Sequence, residues 1–122
     1  MEKSKDLFLS YGSELSGLLD ISLYSNILNL LDLIIHKQNE GRRIFICGNG
    51  GSGANANHIE NDFIYGIRNK KFPYGINIES LNSNNSVITC LANDVGYSEI
   101  FTEQIKNKAN KEDLLIVLSG SG

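Results

Sequence analysis

The sequence predicts an α/β domain built on a parallel sheet, and three observations carry that prediction. Residues 44–47 and 114–118 are uninterrupted apolar runs, the pattern of parallel strands covered on both faces. Helical spacing fills the chain between the strands, in segments of about 30 to 40 residues that suit right-handed βαβ units. Four glycines, Gly48, Gly50, Gly51 and Gly53, crowd the end of the first apolar run.

The elements follow in order. Leu7, Phe8, Tyr11, Leu15, Leu18 and Leu19 recur at helical spacing over residues 5–19. Asp20 caps a second helix, whose stripe is Tyr24, Ile27, Leu28, Leu31, Ile34 and Ile35, and Gly41 stops it. These two helices form an expected N-terminal helical hairpin over residues 1–42, with stripes long enough to cover a sheet or a partner subunit. The α/β domain occupies 43–122. Its first strand is 44–47, a weaker strand lies at 75–79, and the third is 114–118. Helices are expected at 53–68, about 84–92 and about 97–109. The sole proline, Pro73, falls in a loop over 69–73.

The totals exclude several function classes. A chain of 122 residues suits one domain, and a net charge of −3 is too balanced for a nucleic-acid or membrane-surface binder. No apolar run approaches the roughly 18 residues of a membrane span. Residues 1–15 carry charge without an apolar core before a cleavage site, so they are not read as a signal peptide. The two cysteines, Cys47 and Cys90, have no metal-ligand spacing and are read as buried packing residues. The expected compartment is the cytoplasm.

The glycine cluster carries the chemistry. Ligands of parallel sheets bind beyond the carboxyl ends of the strands. Glycine admits positive φ and lets a ligand approach the peptide N–H groups. The N-terminus of the following helix favours an anion, and Ser52 adds a hydroxyl. The pattern is that of a phosphate cradle; a bare tight turn would seldom use four glycines. Gly48, Gly50 and Gly53 also satisfy the G-x-G-x-x-G dinucleotide fingerprint, with Glu79 a poor match to its expected acid. Two helices ahead of the first strand argue against a nucleotide domain. So does a second small-residue loop, Ser119, Gly120, Ser121 and Gly122, which could hold the same phosphate from the other side.

His58 and Asp62 stand four apart on the helix leaving the cradle, in one stripe with Asn55. Ala56, Ile59, Phe63 and Ile67 form the apolar stripe on another face. An isolated pair of this kind is usually a solvated ion pair. Proximity to the cradle makes these two candidate functional groups. Glu60 points elsewhere and is read as solvent-facing, and His36 as structural.

The run Cys47-Gly48-Asn49-Gly50-Gly51-Ser52, with His58 six residues later, resembles the sugar isomerase (SIS) domain family, and within it the phosphoheptose isomerase branch. A second block, Leu91-Ala92-Asn93-Asp94-Val95-Gly96-Tyr97 with Glu99, Phe101 and Gln104, agrees, as does the run from Asp113 to Gly122. The resemblance implies a flavodoxin-like three-layer α/β/α sandwich on a five-stranded parallel sheet, assembled as a homotetramer. It implies interconversion of a ketose and an aldose phosphate through an enediol, with sedoheptulose 7-phosphate as the substrate. By position, Asn49, Gly50 and Gly51 line the sugar phosphate. Ser52, Ser119, Gly120 and Ser121 form the phosphate loops, and Asn93 and Asp94 contact the sugar hydroxyls. Asp62 and His58 are the catalytic candidates. No cofactor is required, but some members bind zinc, which makes His58 and Asp62 candidate zinc ligands.

Three departures stand out against the family pattern. Asp62 replaces its catalytic glutamate, one methylene shorter, and Gly120 replaces a threonine. The family continues beyond the position of Gly122 with further strands and a second acid/base histidine. The 122 residues alone are therefore expected to be inactive. The alternative reading is a non-catalytic SIS-type module for phosphosugar binding or protein association.

Overall fold

A computed structural model describes residues 2–68 and 73–122. Its elements are α1 (Glu2–Gly17), α2 (Ile21–Asn39), β1 (Ile44–Gly48), α3 (Gly51–Asn61), β2 (Ile78–Ser80), α4 (Asn85–Asp94), α5 (Thr102–Lys108) and β3 (Leu114–Leu118). A π-helical turn, Asp62–Gly66, continues α3, and a 3-10 turn, Tyr97–Glu99, precedes α5.

The chain forms two compact units, residues 1–35 and 36–122, which divide inside α2 instead of at residue 42. In the first unit, Asp20 caps α2 by accepting from Leu23 N–H at 2.8 Å. α1 and α2 meet at a bend of 58°. They do not fold back as the expected hairpin, because the short break at residues 18–20 turns the chain only part-way. Leu7, Phe8, Tyr11, Leu15, Leu18 and Leu19 of the expected stripe are exposed. Among the described residues no single helix is long and apolar enough to cross a membrane. Only taken together, across their bend, do α1 and α2 reach the length and hydropathy of a span.

The second unit holds a parallel sheet in the order β2-β1-β3. Ile44 pairs with Ile78 on one side and Leu114 on the other. Right-handed crossovers that run in opposite directions across a sheet, here β1 to β2 and then β2 to β3, must use opposite faces of it. That is the arrangement found. α3 lies over the Ile44, Ile46 and Gly48 face, close enough that a Cβ on Gly48 would sit 2.7 Å from Ser52 Cβ. The other face packs Phe45, Cys47 and Leu81 against Phe101, Ile105 and Ala109 of the α5 region. The domain is thus an α/β fold with helices on both faces.

Four details differ from the sequence-based expectation. The second strand is 78–80, not 75–79, because Ile76 N–H turns to Phe63 O at 2.9 Å and ties the start of the expected strand to the π turn. The helix expected over 97–109 is broken: its first residues form only the 3-10 turn Tyr97–Glu99, and α5 begins at Thr102. β3 is not covered on both faces. Leu115 and Val117 share the face of Phe45 and Cys47 but are 45% and 63% exposed, since α5 packs over β1 and Leu81. Cys90 is exposed on α4 while Cys47 is buried, so only one cysteine is a packing residue. The loop expected at 69–73 lies, Pro73 apart, outside the described residues.

Candidate functional site

In an open parallel sheet, the crevice where successive crossovers diverge is the natural ligand site. Here the chain leaves central β1 for β2, then crosses to β3, so the switch point lies between the carboxyl ends of β1 and β3. A cavity of about 410 Å³ occupies that point. Asn49 and Ser52 line it from the first loop and Ser119, Gly120 and Ser121 from the second. An adjoining cavity of about 530 Å³ shares Ser52, Ser119 and Gly120, and adds Asn55, His58 and Ile59 of α3.

The cradle is built by its glycines. Gly50, which caps α3, has φ 55° and ψ −124°, a region that side-chain-bearing residues seldom adopt. The turn then closes on itself: Ser52 and Gly53 N–H bond Asn49 O at 3.0 and 3.4 Å, and Ala54 N–H bonds Gly50 O at 3.1 Å. Among the described residues, the N–H groups of Gly50 and Gly51 have no acceptor, and open space surrounds both Cα positions. These are the donors a helix N-terminus offers an anion. Ser52 and Ser121 line the same cavity, while Ser119 Oγ accepts Gly122 N–H at 2.9 Å and keeps its own proton to donate.

Two residues unassigned by sequence reasoning hold this loop. Asn82, just after β2, bonds both backbone groups of Gly48: its Oδ1 accepts the N–H at 3.0 Å and its Nδ2 donates to the carbonyl at 2.8 Å. Tyr97 Oη donates to Asn49 Oδ1 at 2.9 Å. Tyr97 belongs to the second sequence block, but nothing in spacing could join it to a residue 48 positions earlier.

The candidate site residues do not all converge. Asn49, Ser52, Ser119, Gly120 and Ser121 share one cavity, and His58 lies in the next. Asp62 stands one turn further along, with His58 Nε2 and Asp62 Oδ2 3.4 Å apart and both groups exposed. Asn93 and Asp94 end α4 and line neither cavity; Tyr97, three residues beyond Asp94, is the neighbour that bonds the cradle. Asn93 Nδ2 donates to Asp94 Oδ1 at 2.7 Å and Cys90 Sγ donates to Oδ2 at 3.3 Å. The Asn93 amide first, then the Cys90 thiol, hold the Asp94 carboxyl below its usual range. The same bond, with the carboxylate charge, pushes the Cys90 thiol up.

Two other readings meet physical objections. Glu79, the acid a dinucleotide site would need, is engaged by Arg43 and by Lys108 at 2.7 Å, so it braces the sheet. Glu60, read as solvent-facing, is half-buried. Zinc sites take three or four protein ligands. Among the described residues no third histidine, cysteine or acid joins His58 and Asp62, so the pair falls short of a zinc set.

Comparison with known proteins decides the family. The SIS domain model matches residues 11–122. The chain belongs to the SIS domain family. Phosphoheptose isomerase of Helicobacter pylori strain P12 is 36% identical over 117 residues, covering 94% of this chain and 58% of that protein. Phosphoheptose isomerase of Thermodesulfovibrio yellowstonii is 40% identical over 98 residues, covering 80% and 48%. This SIS chain therefore spans about half the length of the curated relatives it matches. The solved phosphoheptose isomerase of Neisseria gonorrhoeae superposes with a TM-score of 0.81 at 23% identity, over 97% of this chain and 59% of that one. The Francisella tularensis structure gives 0.80 at 22%, over 97% and 60%. At these identities the two structures establish the shared fold.

Proposed function

We propose that this SIS domain binds a sugar phosphate and forms part of an aldose–ketose isomerase, with sedoheptulose 7-phosphate as substrate and D-glycero-D-manno-heptose 7-phosphate as product. The observation that carries the reading is the cavity that the β1 and β3 loops line together at the switch point. In this reading the phosphate oxygens accept from the Gly50 and Gly51 N–H groups and from the hydroxyls of Ser52, Ser119 and Ser121. The names of the matched relatives support the reaction class.

At about 1.5 Å per helical residue, His58 stands roughly 9 Å and Asp62 roughly 15 Å along the helix from Ser52. The reacting carbons must then lie at the end of the sugar away from the phosphate, as they do in a ketose 7-phosphate. Asp62 acts as the base: it takes the proton from C1, the C1–H electron pair forms the enediol, and the same proton returns to C2. The hydroxyl proton passes from O1 to O2 through a second acid/base group. His58, beside Asp62, holds the carboxylate toward the substrate. The exposed apolar faces of α1 and α2 are proposed to pair with copies of themselves.

The test is Asp62→Asn in the whole isomerase of which this domain is proposed to form part, assayed for conversion of sedoheptulose 7-phosphate and for its binding. The expected result is turnover lost by at least about a hundredfold, the lower end of general-base contributions, with binding retained. Unchanged turnover would remove Asp62 from the role of base. Binding without turnover in the unsubstituted protein would favour the non-catalytic module.

A further inference from the structure

We propose that Tyr97 is a positioning residue that fixes the Asn49 side chain as a hydrogen-bond donor toward the bound phosphate. The inference rests on the sugar-phosphate reading of the cavity. Asn49 lines that cavity immediately after β1. A primary amide can present either two N–H donors or a carbonyl acceptor, and the two faces interchange by rotation about one bond. An ionised phosphate ester offers acceptors only. The site therefore works only if the amide nitrogen faces the ligand.

Tyr97 supplies that choice. Its Oη donates to Asn49 Oδ1 at 2.9 Å, which occupies the carbonyl and leaves the Nδ2 protons to face elsewhere. The hydroxyl is held in place by its own turn. Val95 and Gly96 N–H both close on Leu91 O, at 2.9 and 3.0 Å, and Glu99 N–H closes on Gly96 O at 3.1 Å. Gly96, at φ 123°, makes the change of direction that a side-chain-bearing residue would resist. Ile100, only 3% exposed, anchors the turn, and buried Gln104 donates to Ile100 O at 2.9 Å and to Leu81 O at 3.0 Å. The Tyr97 ring itself is 62% exposed. It contributes little to the core, so its hydroxyl serves the cradle more than the fold.

Without that hydroxyl the Asn49 amide rotates freely and presents its carbonyl to the phosphate part of the time. One net hydrogen bond is worth about 0.5–1.5 kcal/mol, so Tyr97→Phe should weaken binding roughly two- to tenfold. The experiment is calorimetric titration of the full chain with sedoheptulose 7-phosphate, in a cycle of Tyr97→Phe, Asn49→Ala and the double variant. Tyr97 acting through Asn49 predicts a loss in the Tyr97→Phe variant that disappears in the Asn49→Ala background. Full affinity in Tyr97→Phe would overturn the inference while leaving the phosphosugar reading intact. So would an equal loss in both backgrounds, because Tyr97 would then act on the ligand directly. If the unsubstituted chain does not bind, the site reading fails and this inference fails with it.

Discussion

Gly48, Gly53 and Asn82 occupy the same few ångströms beneath the cradle. A Cβ on Gly53 would meet Asn82 Nδ2 and Gly48 O, each at 2.8 Å, and one on Gly48 would meet Ser52 and Leu118 O. These glycines are therefore required by close packing as well as by ligand approach. β2 ends at Ser80, and the Asn82 side chain bonds both backbone groups of Gly48 beyond it. Ser80 Oγ supports the arrangement by donating to Asn57 Oδ1 at 2.6 Å and accepting Asn82 N–H at 3.2 Å. Asn82→Ala leaves a part-buried donor and acceptor unpaired, and should cost about 1–3 kcal/mol of stability in urea unfolding. An unchanged midpoint would show that water replaces the clamp without loss.

At the scale of elements, β1 and β3 are joined below the site by Asp113. Its Oδ1 accepts Arg43 N–H at 3.0 Å and its Oδ2 accepts Asn110 N–H at 2.7 Å. The Asn110 bond first, then Arg43, lower the Asp113 carboxyl from its ordinary value. A depressed carboxylate adds stability that is complete above its unfolded value, about 3.9, and is lost as pH falls through the lower folded value. Asp113→Asn should thus be less stable than the parent at neutral pH. The gap should close as urea midpoints are followed from about pH 5 to about pH 2. A gap independent of pH would assign the loss to packing instead of charge.

The long elements were legible because their signals are local. The apolar runs at 44–47 and 114–118, the caps at Asp20 and the glycine cluster all lie within a few residues of what they specify. The 75–79 strand was misplaced because its first residues bond the π turn, a contact no alternation shows. The expected covering of β3 failed for a similar reason, since where α5 comes to rest is a tertiary matter. In the candidate site, Ser52 and the 119–121 loop were readable from strand-end chemistry. Asn82 and Tyr97 were not, because each acts through a side chain on a residue more than 30 positions away.

At the scale of the molecule, the two units differ in how their apolar surface is covered. The second unit buries Ile44, Phe45, Ile46 and Cys47 almost completely. The first leaves Leu15 53%, Leu18 67% and Leu19 77% exposed. Exposed apolar patches of this kind mark association surfaces, so the chain should sediment as a homo-oligomer. Leu15→Lys with Leu19→Lys should shift it toward monomer. A monomeric parent chain would contradict the pairing proposed for α1 and α2. The central claim concerns the second unit: the switch-point cavity takes the phosphate of a sugar phosphate. Titrating the isotope-labelled chain with sedoheptulose 7-phosphate, while following backbone amide resonances, tests it most directly. The account predicts saturable shifts at Gly50, Gly51, Ser52 and residues 119–121, with the amides of α1 unmoved. Shifts confined to other surfaces, or no saturable shift at millimolar ligand, would contradict it.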